Sequence, residues 1–327
     1  MIVRHDQSVG ADTIQRPGGD AAVVRVHGSK KALAMTTDCT PRYCYADPYE
    51  GGKQAIAEAY RNLCAVGARP LAVTNCLNFG NPQRPEIMAQ FVECLRGMGD
   101  ACRALDFPII SGNVSLYNES KATGGGSAIL PTPAIGGVGL LDDWEKSANI
   151  AFKAAGEDIV LIFDRKTGHL GQSLWLREIH GRKEGPPPPV DLKAECGVAT
   201  FICDSIADGT VTAVHDISDG GFLVAVAEMA LAGDIGASID LGERSNSTGW
   251  AFGEDQSSYV ATVPDGLAFV RALSDPRVSA IVMGTTGGTS IDVSLMGNVE
   301  SSVSLADLRA AHEGFFPKLM GADAALA

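Results

Sequence analysis

The stretch VHDISDGG, residues 214–221, gathers groups that could handle a phosphate or a cation. His215 and Asp216 close an apolar run. Ser218 or Asp219 could N-cap the helix expected over GFLVAVAEMALAG, and Gly220 and Gly221 would let a ligand approach its first turn. A helix start offers free N–H groups and a positive dipole end, which suits phosphate, although capping alone would use the same residues. Glu58 and Asn62 stand four apart in an apolar-periodic segment and so share a helical face. They could be a solvated pair. Beside Asp20 of RPGGD and Asp216 they would form an oxygen-rich set of the kind Mg²⁺ prefers.

Two further segments, TNCLNFGNP (74–82) and SGNVSLYNE (111–119), concentrate Ser, Gly and Asn directly after expected strands. These are ordinary turn residues, and they also supply the small, hydrogen-bonding surface a ligand loop needs. With RPGGD and VHDISDGG they make four loops of one kind. FGEDQSS, with Glu254, Asp255 and Gln256, could bind ligand or be a polar turn. His5, His27, His169, His180 and His312 have no evident acid or base partner, and neither a Ser/His/Asp set nor a nucleophilic Cys stands out.

The elements that must position these groups alternate in period. AAVVRV (21–26) and KALAMTTD (31–38) are expected as a hairpin, and residues 51–67 as a helix with Ile56, Tyr60, Leu63 and Cys64 on one face. ARPLAVTNC is the next strand, residues 85–105 a long helix, and FPII and AIGGVGLL further strands. A second set begins at GEDIVLIFD (156–164), with helices over QSLWLREIH and 191–208 flanking the Pro-rich run GRKEGPPPPVD. Strands TVTAVHD and GASIDL and a last α/β set follow. The expected division is a linker-like segment 1–19, one domain over 20–150 and another over 151–327.

Composition narrows the function class. The 327 residues are 45% hydrophobic and 20% charged with 38 Gly, a globular profile rich in turns. Lys plus Arg number 26 against 39 Asp plus Glu, and the net charge of −13 argues against a nucleic-acid surface. Eight Cys show no CxxC pair and read as reduced, mostly buried thiols; with no signal peptide or apolar run long enough to span a bilayer, the cytoplasm is the expected compartment.

GGDAAVV, NCLNFGNPxxPE, SGNVSLYNE, PTPAIGGVG and HDISDGG, in this order, resemble the C-terminal half of phosphoribosylformylglycinamidine synthases, purine-pathway ligases in the wider fold group of aminoimidazole ribonucleotide synthetase. The resemblance implies an α+β two-domain unit whose N-terminal sheets pair into a barrel. It implies ATP, Mg²⁺ and an amide converted to an amidine with ammonia from a glutaminase partner. It further implies a small accessory subunit, formylglycinamide ribonucleotide as substrate, and no membrane association.

By motif, Asn75 and Gly112 would contact nucleotide, Asn113 magnesium and Ser115 the substrate. Asn75 stands where family members often have Asp, so it lacks the charge of a metal ligand there. Asp20, Glu58, Asn62 and Asp216 match metal ligands and Ser218 a nucleotide contact of an auxiliary site in longer members. The family's catalytic His belongs to a first repeat with no counterpart here, and RHDQSVGADTIQRPGG resembles the linker before the second repeat. The expectation is a half-enzyme, inactive alone and self-associating as a homodimer. The alternatives are a scaffold half holding structural nucleotide and a self-sufficient synthetase.

Overall fold

The computed structural model describes residues 12–120, 127–243 and 246–321, so most of the linker-like segment lies outside the described residues. The first sheet has six strands: β1 (Thr13–Gln15), β2 (Ala22–Arg25), β3 (Ala32–Asp38), β4 (Arg69–Asn78), β5 (Ile109–Ser115) and β6 (Thr132–Leu141). Their order is β1-β2-β3-β6-β4-β5, and only β4 and β5 run parallel to each other. The sheet is open. Helices α1 (Pro41–Ala46), α2 (Pro48–Ala65) and α3 (Pro85–Ala104) belong to the same unit. Asp47 caps α2 by accepting from Tyr49 N–H and Glu50 N–H, and Pro48 occupies its first position.

Alternation along the strands separates two faces. Ala32, Ala34, Val73, Leu77 and Ile135 are buried in one core with Ile56 and Leu63 of α2 and Met98 of α3. Leu33 and Met35 alternate with the buried alanines and are exposed, as are Ile110 and Val114 on the edge strand. Helices α2 and α3 cross closely. A Cβ at Gly97 would lie 2.0 Å from Tyr49 O, and one at Gly52 2.4 Å from Cys94 O, so the crossing requires glycine at both points.

The second sheet has seven strands: β7 (Asp158–Phe163), β8 (Ala213–Asp216), β9 (Ala237–Asp240), β10 (Ser258–Val263), β11 (Ser279–Thr286), β12 (Ser290–Leu295) and β13 (Asn298–Ser304). The order is β8-β10-β7-β11-β9-β12-β13. Helices α4 (Leu192–Ala207), α5 (Phe222–Gly233), α6 (Ser247–Phe252), α7 (Gly266–Ala272) and α8 (Leu305–Leu319) accompany it. Cys64 and Ala65 of α2 pack with Val198 and Ile202 of α4 and Val160 and Tyr259 of the sheet, so α2 joins the two units. The mix of mostly antiparallel sheets and helices is the expected α+β class.

Three expectations need correction. QSLWLREIH is not an α-helix: Trp175–Ile179 forms one π-helical turn, with Leu174 N–H captured by Glu254 Oε1 at 2.8 Å and the Trp175 ring stacked on Phe252 at 4.3 Å. Tertiary contacts have overridden the local pattern. SGNVS and TNCLN are strand rather than loop, because residues 74–78 pair in register with 111–115 and the ladder satisfies their backbone. Helix α5 is capped neither by Ser218 nor by Asp219; Gly221 is its N-cap without a side-chain bond, and Arg42 engages the Asp219 carboxylate instead.

Candidate functional site

The expected site residues fall in two places. The first is the β4–β5 end of the open sheet, where Asn75 pairs with Gly112, Cys76 with Asn113 and Asn78 with Ser115. A groove of about 410 Å³ lies there, lined by Thr37, Thr74, Asn75, Gly112 and Asn113 among others. Strand alternation splits the candidates. Thr74 and Ser111 hydroxyls meet at 2.9 Å, and Asn113 Nδ2 lies 4.0 Å from Cys76 Sγ, so these four share the open face. Asn75 follows Val73 and Leu77 toward the helices. A Cβ at Gly112 would lie 1.9 Å from Asn75 Oδ1: the amide occupies the volume any other side chain at 112 would fill. Ser115 stands at the end of the strand, its Oγ 3.3 Å from Asn118 Oδ1.

The second place is the joint between the units. Asp20, His215 and Asp216 bring potential ligand atoms within 4.8 Å of one another. His215 Nδ1 donates to Asp20 Oδ1 at 2.7 Å, and Asp216 N–H donates to the same oxygen at 3.2 Å. His215 Nε2 donates to Glu228 Oε2 at 2.9 Å. Asn62 Nδ2 donates to Asp38 Oδ1 at 2.7 Å, and Gln54 Nε2 to Glu58 Oε2 at 2.5 Å. Arg61 is fully buried: Nη1 reaches Glu195 Oε1 at 2.8 Å and Nε lies 3.4 Å from Asp216 Oδ2.

Electrostatics follow from placing many carboxylates in little water. Burial pushes Asp216 up to about 7 against the opposing Arg61, and pushes Glu58 up to about 7 with the Asp216 charge adding. Asp38 rises to about 8, by burial and then by the Glu58 charge. Burial alone would lower His215, but Asp20 first and then Glu228 outweigh it and hold the imidazole well above its usual value. Two buried oxygens in the cluster, Asp20 Oδ2 and Asn62 Oδ1, accept no hydrogen bond. Unsatisfied oxygens beside crowded carboxylates are what a hard divalent cation would satisfy, so this set fits magnesium.

Ser218 is half-buried in the same loop, two residues beyond Asp216. Glu254 and Asp255 are buried and fully used. Glu254 accepts from Leu174 N–H, Gly220 N–H, Arg42 and Tyr43, and Asp255 from the N–H groups of Thr167, Gly168 and His169. They anchor loops. Sequence reasoning passed over Arg61, Asp38, Glu195 and Glu228. The faint signal was an arginine inside the Glu58/Asn62 segment; Asp38 and Glu195 come from elements distant in the chain, and Glu228 from the helix that follows VHDISDGG.

All eight cysteines are free thiols, of which Cys44, Cys64 and Cys94 are buried and Cys76 is exposed. Among the described residues no helix is long and apolar enough to cross a membrane.

Comparison with known proteins agrees with this architecture. Residues 18–141 match the N-terminal domain of AIR synthase related proteins and residues 154–295 their C-terminal domain. The phosphoribosylformylglycinamidine synthase subunit PurL of Erythrobacter litoralis is 62% identical over 331 residues, covering 97% of this chain and 43% of the relative. The PurL of Zymomonas mobilis is 57% identical over 319 residues, with 97% and 43% covered. The chain thus spans less than half the length of these relatives. Among solved structures, Thermotoga maritima PurL complexed with FGAR superposes with a TM-score of 0.71 at 16% identity, covering 89% of this chain and 48% of that one. The same protein complexed with ATP gives 0.68 at 16% identity, covering 94% and 49%. At such identity these structures speak for the fold alone. The two domain matches and the high identity along nearly the whole chain show that it belongs to the AIR synthase related proteins, with phosphoribosylformylglycinamidine synthase PurL subunits as its relatives there.

Proposed function

We propose that this chain is the C-terminal half of an ATP-dependent, amidine-forming ligase and supplies one wall of its active site. The observation that carries this reading is the β4–β5 pair, which sets Asn75, Gly112 and Asn113 side by side at an open groove. In this reading Asn75 and Gly112 contact ATP, Asn113 a magnesium ion and Ser115 the substrate. The reaction is conversion of formylglycinamide ribonucleotide to its amidine. The amide oxygen attacks the γ-phosphorus and ADP leaves; ammonia then adds to the imidate carbon and phosphate departs. An amide oxygen leaves poorly until phosphorylated, which is the chemical need for ATP. Magnesium would neutralise phosphate charge while backbone N–H groups orient it.

The open sheet face supports an interface. Leu33 and Met35 expose apolar surface that a second sheet would cover. The first half of the synthetase is the natural occupant, with the glutaminase and small accessory subunits completing a cytoplasmic complex; alone, the chain would pair with itself. The division into domains over 20–150 and 151–327 belongs to the same proposal. The acid cluster at the joint, Asp20, Glu58, Asn62 and Asp216 with Ser218 nearby, would hold a second metal-bound nucleotide that stabilises rather than reacts.

The test is calorimetric titration with a non-hydrolysable ATP analogue and Mg²⁺, alongside a turnover assay. Asn113→Ala should remove binding at the groove and Asp216→Ala binding at the joint. Turnover by this chain without a first-half partner would sink the half-enzyme reading.

A further inference from the structure

The cluster at the joint has a support of its own. Asp20 uses one oxygen for two donors, His215 Nδ1 at 2.7 Å and Asp216 N–H at 3.2 Å, while its Oδ2 is buried and accepts nothing. The other imidazole nitrogen faces Glu228 Oε2 at 2.9 Å. With a carboxylate against each nitrogen, the ring is held between Glu228 and Asp20. Glu228 projects from α5, so the line Glu228–His215–Asp20 ties the second unit's helix to the first unit's RPGGD loop.

We propose that Glu228 and His215 are positioning residues of the cation site, locking Asp20 so that Oδ2 is presented to the ion. This rests on the reading that Asp20, Glu58, Asn62 and Asp216 take a divalent cation. Partners behind a metal ligand fix its orientation, and their loss costs roughly 10–100-fold in metal affinity. Glu228 is the residue to change, because its side chain is 45% exposed and truncation opens no cavity.

Mn²⁺ alone, titrated into the full chain and followed by its electron paramagnetic resonance signal, reads the site without any turnover. Glu228→Ala should weaken Mn²⁺ binding roughly 10-fold. Glu228→Gln, whose amide oxygen still accepts from the imidazole, should restore it to within about threefold of the unaltered chain. Thermal unfolding of the metal-free variants separates a merely structural role, which would lower the midpoint and leave Mn²⁺ affinity unchanged. Asp216→Asn distinguishes the two layers. If it weakens Mn²⁺ binding while Glu228→Ala does not, the positioning inference falls and the site stands. If Glu228→Gln is as weak as Glu228→Ala, the inference also falls. If Asp216→Asn leaves Mn²⁺ binding unchanged, or the unaltered chain binds none, the site reading fails and takes the inference with it.

Discussion

Removing Arg61 should lower stability and at the same time strengthen cation binding. Its guanidinium and the Glu195 carboxylate are both 0% exposed and 2.8 Å apart, so no solvent screening discounts their attraction. Arg61→Met keeps most of the side-chain volume but leaves Glu195 to Ser257, whose N–H donates at 2.8 Å. Breaking a buried pair from one side costs about 3–5 kcal/mol, because the abandoned charge stays desolvated. At ~2 °C per kcal/mol, the low end suited to a longer chain, that is a drop of roughly 6–10 °C in melting midpoint. Glu195→Gln alone should cost less, about 1–3 kcal/mol, since Arg61 retains Asp216 and Gln256. In the double variant neither charge remains, so its loss should fall well short of the sum of the singles, by about 2 kcal/mol or more. Urea unfolding of the four proteins measures this. Deleting a cation 3.4 Å from Asp216 also leaves the cluster more negative, so Mn²⁺ should bind more tightly to folded Arg61→Met. A cost under about 1 kcal/mol for Arg61→Met, or strict additivity in the double variant, would refute the view that this pair is a tightly coupled buried charge.

Gly97→Ala places a Cβ 2.0 Å from Tyr49 O at the α2–α3 crossing, and urea unfolding should show a loss of about 2 kcal/mol or more because backbone must move. Gly112→Ala meets Asn75 Oδ1, the end of a side chain that can swing, so stability should change by less than about 1 kcal/mol while titration shows the nucleotide affinity of the groove lost. Thiol alkylation at pH 8, read by peptide mass, should label exposed Cys76 first. Cys64, raised by burial, and Cys44, raised by its neighbours Cys39 and Cys94 and by burial, should label last. Burial pushes Cys102 up to about 11, so its thiolate fraction and labelling rate should still climb tenfold per pH unit above pH 8. Sedimentation of the isolated chain should show a self-associating species, and Met35→Lys, at a residue 39% exposed on the open face, should shift it toward monomer; a clean monomer before mutation would count against that interface.

Local pattern by itself determined much of the frame. Helix α2 announced itself by Ile56, Leu63 and Cys64 on one face, and α3 by Pro85 and its apolar period. Strands β3 and β6 were legible because one face is buried and alternation is forced on them. That Glu58 and Asn62 share a helix face was legible too, since i and i+4 do so whatever the fold, but their partners Gln54 and Asp38 were not. The short-range rules failed where distant segments supply the partner. The 111–115 segment looked like a turn because Ser, Gly and Asn prefer turns, yet β4 offers a parallel ladder that no local window contains. Ser218 and Asp219 looked like caps until Arg42, 177 residues from Asp219, engaged that carboxylate. What only the tertiary structure decided is the cluster at the joint. Asp20, Asp38, Arg61, Glu195, His215 and Glu228 come from separate loops, strands and helices, and each alone is an ordinary polar residue. Desolvation is a property of the packed whole, so the charges that raise one another's pKa values acquire that behaviour only when α2 is wedged between the two sheets.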